Sequence, residues 1–313
     1  MNRNSCRRAV LSVLLLALLW EPGRADSFSD SRVAYEAGRY EDAVKLLQAG
    51  ADQGDARAQG ALGIMYEHGR GVPQDYQKAI AWYLKAAALG DASAQTNLGY
   101  LYYSGQGVAQ DYAQAFAWYS KAAQAKGAPA RRQALAMSNL GHMYFWGRGI
   151  PKDQKQAAEF YLKAAELGNP VAQNNLGYLY EHGLGVKRDG VQAAQWYAKA
   201  AEQDFHFGER NLGLMYEAGR GVARSYEKAF HWFSRAALKG NHSAQYKLGR
   251  MYERGTGIPI DMVEAYKWFL LSSQGGHRPA QDSLKRLDTV LTAAQIDEAK
   301  KRAASFLLPS PKP

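Results

Sequence analysis

The dipeptide Leu-Gly recurs at Leu62-Gly63, Leu98-Gly99, Leu140-Gly141, Leu176-Gly177, Leu212-Gly213 and Leu248-Gly249, at intervals of 36, 42, 36, 36 and 36 residues. A fixed period of this size marks one supersecondary unit repeated along the chain. No such unit buries its hydrophobic face alone, so neighbours must stack into a continuous core. The chain thus specifies an extended surface before any chemistry.

The unit reads as two helices around a glycine turn. In the second repeat Ala94, Leu98, Leu101 and Tyr102 fall at helical spacing, and Ala115, Trp118, Tyr119, Ala122 and Ala123 do so in the following segment. Between them stand paired glycines, Gly105 and Gly107 here, with equivalents from Gly69 and Gly71 to Gly255 and Gly257. Glycine takes the left-handed backbone angles that end and reverse a helix. Asp75, Asp111, Asp153, Asp189, Ser225 and Asp261 form one column just before the second helix, which is an N-cap column. The Gly63 column falls inside a helix, where glycine costs about 0.5–1 kcal/mol against alanine. Its sixfold recurrence implies a close helix approach, expected against alanine pairs such as Ala86-Ala87 and Ala122-Ala123, with the aromatic column Tyr83, Tyr119, Tyr161, Tyr197, Phe233 and Phe269 filling the rest.

The pattern A-Q-x-x-L-G-x-x-Y-x-x-G-x-G-V followed by D-x-x-x-A-x-x-W-Y-x-K-A-A resembles the Sel1-like repeat (SLR), a relative of the tetratricopeptide repeat (TPR) with a longer turn. The resemblance covers six units over 57–92, 93–134, 135–170, 171–206, 207–242 and 243–276. It implies an all-α fold, a right-handed α/α superhelical solenoid that works as an adaptor, with the first helices lining its concave side. Residues 26–56 are read as a TPR-like capping repeat, and 277–313 as C-terminal capping helices and tail. Thr292-Ala293-Ala294-Gln295 forms a capping box for the last helix. The single 42-residue step arises from added residues around Gly127 to Arg132. They form either a longer loop or an insertion that sets Arg131 and Arg132 beside the middle of the groove.

Residues 1–25 stand apart from the repeats. Arg3, Arg7 and Arg8 precede the apolar run Ala9 to Trp20, and Gly23-Arg24-Ala25 offers small residues for cleavage. This predicts a signal peptide, and with it a periplasmic or secreted protein. The run of about 12 residues is shorter than the roughly 20 a membrane-spanning helix needs, so no transmembrane segment is expected in the mature chain. Cys6, the only cysteine, lies in this leader, which leaves the mature chain without disulfides, thiol nucleophile or thiolate ligand. Some exported members of the family staple each repeat with a disulfide; this chain departs from them. The whole sequence carries +10, and removing residues 1–25, with four arginines and one glutamate, leaves +7. That excess favours acidic proteins or anionic envelope polymers, while export separates the chain from nucleic acid.

Catalytic signals are sparse. Ser225-Tyr226-Glu227-Lys228 fits the S-x-x-K motif of penicillin-interacting enzymes, yet Ser225 occupies the N-cap column. His68 and His182 are equivalent residues three repeats apart, with His142 between, and no metal-ligand spacing is present. No catalytic residue, metal or cofactor is therefore expected. Lys85, Lys121, Lys163, Lys199 and Arg235 form a cationic column late in the second helices, read either as helix-end compensation on a solvated convex face or as a stripe for a polyanion.

Positions one, four and five residues after the helix glycine face the groove in TPR-like geometry. They vary while their neighbours repeat, and the middle repeats make them aromatic. The expected partner-binding groove comprises Tyr100, Tyr103, His142, Phe145, Trp146 and Tyr178, with Glu181, His182 and Arg250 adjusting specificity. Ordinary interhelical burial competes for the same side chains. These features together predict a non-enzymatic interaction scaffold in the bacterial envelope that binds a protein or peptide. Peptidoglycan or another envelope glycan is the alternative ligand, and β-lactam binding or hydrolysis the weakest reading.

Overall fold

The computed structural model describes residues 27–306; the expected leader with Cys6, and the tail after Phe306, lie outside the described residues. Sixteen α-helices and no strand occur among the described residues. They fall into two compact units divided after Leu167. The first holds α1 (Ser27–Glu36), α2 (Tyr40–Asp52), α3 (Ala56–His68), α4 (Tyr76–Ala88), α5 (Ala92–Ser104), α6 (Tyr112–Ala123), α7 (Ala130–Trp146) and α8 (Gln154–Glu166). The second holds α9 (Pro170–His182), α10 (Gly190–Glu202), α11 (His206–Ala218), α12 (Tyr226–Leu238), α13 (His242–Arg254), α14 (Met262–Gln274), α15 (Arg278–Leu287) and α16 (Ala293–Ser305).

Each repeat starts and stops by local chemistry. Asp75, Asp111, Asp153, Asp189 and Asp261 accept hydrogen bonds from backbone N–H groups of the second helix, and Ser225 Oγ does the same from Lys228 N at 3.2 Å. The first helices end on Gly69, Gly105, Gly147, Gly183, Gly219 and Gly255, all left-handed, with φ between 65° and 72°. The second glycine of each turn allows contact with the preceding repeat. An added Cβ at Gly149 would lie 2.7 Å from the Tyr112 backbone, and one at Gly257 would lie 2.7 Å from Tyr226 Cβ. The turn is tied by one further bond per repeat, such as Asp111 N–H to Tyr102 O at 2.9 Å and Asp261 N–H to Tyr252 O at 3.0 Å.

The glycine inside each first helix has a different reason from the alanine contact expected. A Cβ added at Gly99 would stand 2.6 Å from the Tyr119 ring, and at Gly141, Gly177, Gly213 and Gly249 it would meet Tyr161, Tyr197, Phe233 and Phe269 at 2.6–2.8 Å. The aromatic ring of the second helix lies flat on the glycine, and these rings are buried to within a few per cent. The alanines Ala86, Ala122, Ala164, Ala200 and Ala236 instead fill the remainder of the core.

Neighbouring pairs are joined by a glutamine, buried at Gln59, Gln95 and Gln245 and half-buried at Gln133. Gln59, Gln95, Gln133 and Gln245 donate Nε2 to the carbonyls of Ala51, Ala87, Ala125 and Ala237, at 2.8–3.2 Å. Within each unit the first helices of successive pairs approach one another, α3 with α5, α5 with α7, and α9 with α11, placing them on the inner side of the stack. The insertion commits one of its two arginines to a bridge between repeats. Arg132 reaches back 41 residues to the Asp91 carboxylate at 3.2 Å, and both side chains are nearly buried, so it pins α7 to the start of α5. At the C-terminus Thr292 and Gln295 form the expected capping box.

Candidate functional site

In the first unit the residues expected at the groove centre meet through their rings. Tyr103, at the end of α5, stands edge-on to Tyr112 of α6 with centroids 5.2 Å apart, and to His142 of α7 at 6.0 Å. Its hydroxyl lies 3.2 Å from His142 Nε2. One turn along α7, Trp146 stands 6.3 Å from His142, and Phe145 meets Trp146 edge-on at 5.1 Å. The Arg148 guanidinium lies over Tyr112 at 5.5 Å. A continuous array therefore runs from Arg148 through Tyr112, Tyr103, His142 and Trp146 to Phe145.

Burial, aided by the Arg148 charge, pushes the His142 imidazole down to about 4, so this ring is neutral at neutral pH. The array thus presents uncharged aromatic surface with one cation at its edge. Trp146 is 54% exposed while the other members are half-buried. Tyr100 packs against the core cluster of α3 to α5 that includes Tyr83 and Leu98.

The residues expected in the second unit are differently occupied. The Tyr178 ring lies 4.2 Å from that of His182, whose Nδ1 is 3.0 Å from Tyr178 O, and His182 is exposed. Glu181 accepts the Tyr197 hydroxyl at 2.8 Å and pairs with Arg220 at 2.5 Å, so its charge is committed. Arg250 donates to the Tyr246 hydroxyl at 2.9 Å and faces Glu253 at 3.8 Å.

These contacts expose a rule along the column four residues after the helix glycine. Where the second-helix ring is Tyr83 or Tyr197, its hydroxyl is taken by Glu67 or Glu181. Where it is Phe233 or Phe269, no hydroxyl exists and the glutamate turns to cations, Glu217 to Lys247 at 2.6 Å and Glu253 to Arg250 and Arg286. Only the second and third of the six repeats replace the carboxylate, by Tyr103 and Phe145. Burial raises the Glu67 carboxyl above its ordinary range despite the Tyr83 hydrogen bond.

The Sel1 repeat family matches residues 34–55, 56–91, 92–126, 134–169, 170–205, 206–241 and 242–277. The chain belongs to the Sel1 repeat family. Two solved structures are similar along most of its length. One is a protective antigen present in uropathogenic Escherichia coli strains and displaying an SLR fold, with 34% identity over 89% of this chain and a TM-score of 0.71. This chain spans 61% of that antigen, less than two thirds of its length. The other is a Sel1 repeat protein from Oxalobacter formigenes, with 32% identity over 80% of this chain and 97% of its own, and a TM-score of 0.70. No curated protein matches significantly.

Sel1 repeat proteins generally mediate protein–protein interactions on a generally non-enzymatic scaffold, and the helical-repeat solenoid described here is that fold. In this Sel1 repeat protein the S-x-x-K serine is a helix cap, and Lys228 sits over the Tyr216 ring at 5.3 Å. Among the described residues no three His, Cys, Asp or Glu side chains are grouped to hold a metal, and no helix is long and apolar enough to cross a membrane. Sequence reasoning missed Tyr112 and Arg148 as members of the array. The signal was present: each lies just past a turn glycine or cap, where the turn touches the neighbouring repeat.

Proposed function

We propose that this Sel1 repeat protein is an exported adaptor of the bacterial envelope that holds a peptide or protein segment on the aromatic array of its first unit. The observation that carries the reading is Trp146. Its column otherwise holds His68, Ser104, His182, Ala218 and Arg254, so one repeat alone extends a tryptophan into solvent, at the end of a connected run of rings. Tryptophan is costly to leave wet and is enriched among residues that dominate binding energy. The uncharged His142, with Tyr103 and Phe145 standing where other repeats carry a glutamate, keeps the surrounding surface dry enough for such an anchor.

The test is capture from envelope extract followed by measurement with the isolated partner. Replacing Phe145 and Trp146 by alanine weakens binding at least about tenfold, since aromatic anchors contribute about 2 kcal/mol or more, while melting is little changed. Lys163→Ala with Lys199→Ala on the outer helices serves as control and leaves affinity near that of the parent. Loss in the control pair alone sinks the array assignment, and retention by purified peptidoglycan without any protein replaces the partner class. Export itself is read from intact mass: envelope-fraction protein lacks residues 1–25, and a chain retaining Cys6 contradicts the leader.

A further inference from the structure

Charge is unevenly distributed along the chain. Between Tyr76 and Lys152 stand eight lysine and arginine residues against two aspartates and no glutamate. Both aspartates are occupied: Asp111 caps α6, and Asp91 caps α5 while holding Arg132. The outer helices α4 and α6 contain no acidic residue at all.

The lysines on these helices are arranged. Lys85 Nζ lies 4.0 Å above the Trp82 ring and Lys121 Nζ 4.3 Å above Trp118, each three residues on along its helix. The indoles are half-buried because each reaches the core of the preceding pair, Trp82 onto the α1–α3 cluster and Trp118 onto the α3–α5 cluster. A lysine held down on an indole is a flat cationic rung fixed over the seam between repeats. Both ammonium-bearing side chains remain exposed.

Beside the rungs, apolar side chains are exposed along with Gln77, Lys78 and Gln114. Leu84 is 42% exposed and Leu89 58%, and Ala81, Ala88 and Ala117 are exposed with them. A soluble polyanion or an acidic protein loop explains the cations alone. A membrane interface explains both components, since leucine side chains enter the headgroup boundary, indoles favour that depth and lysines reach lipid phosphates. We propose that the outer face of α4 and α6 docks on a membrane surface of anionic lipid headgroups. The inference is independent of partner binding on the first helices, and leaves that inner side free.

The experiment is co-sedimentation of the full chain with vesicles of phosphatidylglycerol in phosphatidylcholine, and with phosphatidylcholine alone, at low and high salt. The parent is expected to partition onto the anionic vesicles only, with affinity falling as salt rises. Lys85→Glu with Lys121→Glu reduces that partition by about tenfold or more, as each lysine near such a surface contributes about a factor of five. Leu84→Gln with Leu89→Gln reduces it several-fold without altering the melting temperature. Equal binding to neutral vesicles, or binding that survives high salt, shows that anionic headgroups do not carry the contact and overturns the proposal. Unchanged partition in either variant overturns it too, as does capture by soluble polyglutamate with no partition onto vesicles.

Discussion

A residue's role here is set by which ring or carboxylate its neighbour repeat supplies. Gly60 and Gly63 share helix α3, yet their surroundings differ: a Cβ at Gly60 would meet Asp91 Oδ1 at an ordinary 3.5 Å, whereas one at Gly63 would fall on the Tyr83 ring. Gly60→Ala is therefore expected to stabilise by about 0.5–1 kcal/mol through helix propensity, and Gly63→Ala to destabilise by about 1–2 kcal/mol net as overpacking outweighs that gain. Chemical denaturation of the two variants checks the opposite signs. His142 gives a second handle. Its folded-state value of about 4 lies below the ordinary 6.5, so the folded chain binds this proton less readily than the unfolded one. Stability is then intact above about pH 6.5 and falls by up to about 3 kcal/mol as pH drops to about 4. His206 in the second unit shifts the same way, so the measurement is the difference between parent and His142→Gln melting across that window. Parallel curves for the two proteins exclude His142 as the source. The sequence made the glycine column legible as a close approach, but not its partner, because spacing alone does not distinguish an alanine from a ring three columns away.

At the level of helices and turns, the repeat rule is most informative where it breaks. The junction between α10 and α11 puts Asp204 at φ 60° where the other junctions have glycine, and begins α11 after Phe205 with no side-chain cap. Glu209 replaces the bridging glutamine and is fully buried. A carboxylate cannot donate to the Ala201 carbonyl, so Arg235 donates to it instead at 3.3 Å while pairing with Glu209 at 3.0 Å, and Lys239 joins Glu209 at 2.7 Å. Two departures thus compensate one another across the pair. Glu209→Gln alone leaves two cations facing only exposed Asp204, and Arg235→Lys alone leaves the carbonyl bond unmade. The double variant restores the pattern of the other repeats, so a double-mutant cycle is expected to show favourable coupling of about 0.5–3 kcal/mol. Additive losses count against compensation. The second-helix caps, the turn glycines and the last capping box were legible in the sequence because they depend on near neighbours; this exchange, like the Arg132 to Asp91 bridge, was not, because it joins residues 26 to 41 positions apart.

Across the whole molecule the architecture follows from a period, whereas the site depends on the few columns that do not repeat, which is why fold was readable and ligand was not. Such an array has no disulfide among its described residues, so its ends rely on burial and polar contacts. In the second unit the last matched repeat exposes the α14 face of Ala265, Tyr266 and Phe269 unless α15 and α16 cover it, and they do so with Ala280, Leu287 and Ala299. Phe306 adds an edge-on contact to Trp268 at 5.2 Å, and Tyr266 donates its hydroxyl to Asp288 at 2.9 Å. Ending the chain at His277 removes all of these at once. Because each pair touches only its neighbours, the loss should propagate as a gradient and not as a single collapse. Hydrogen exchange is expected to quicken most in α14, less in α13, and hardly at all in α9 and α10, with a lower melting temperature for the truncated chain. Uniform acceleration from α9 to α14 instead means that the second unit opens as one cooperative block, and that the nearest-neighbour description fails for it.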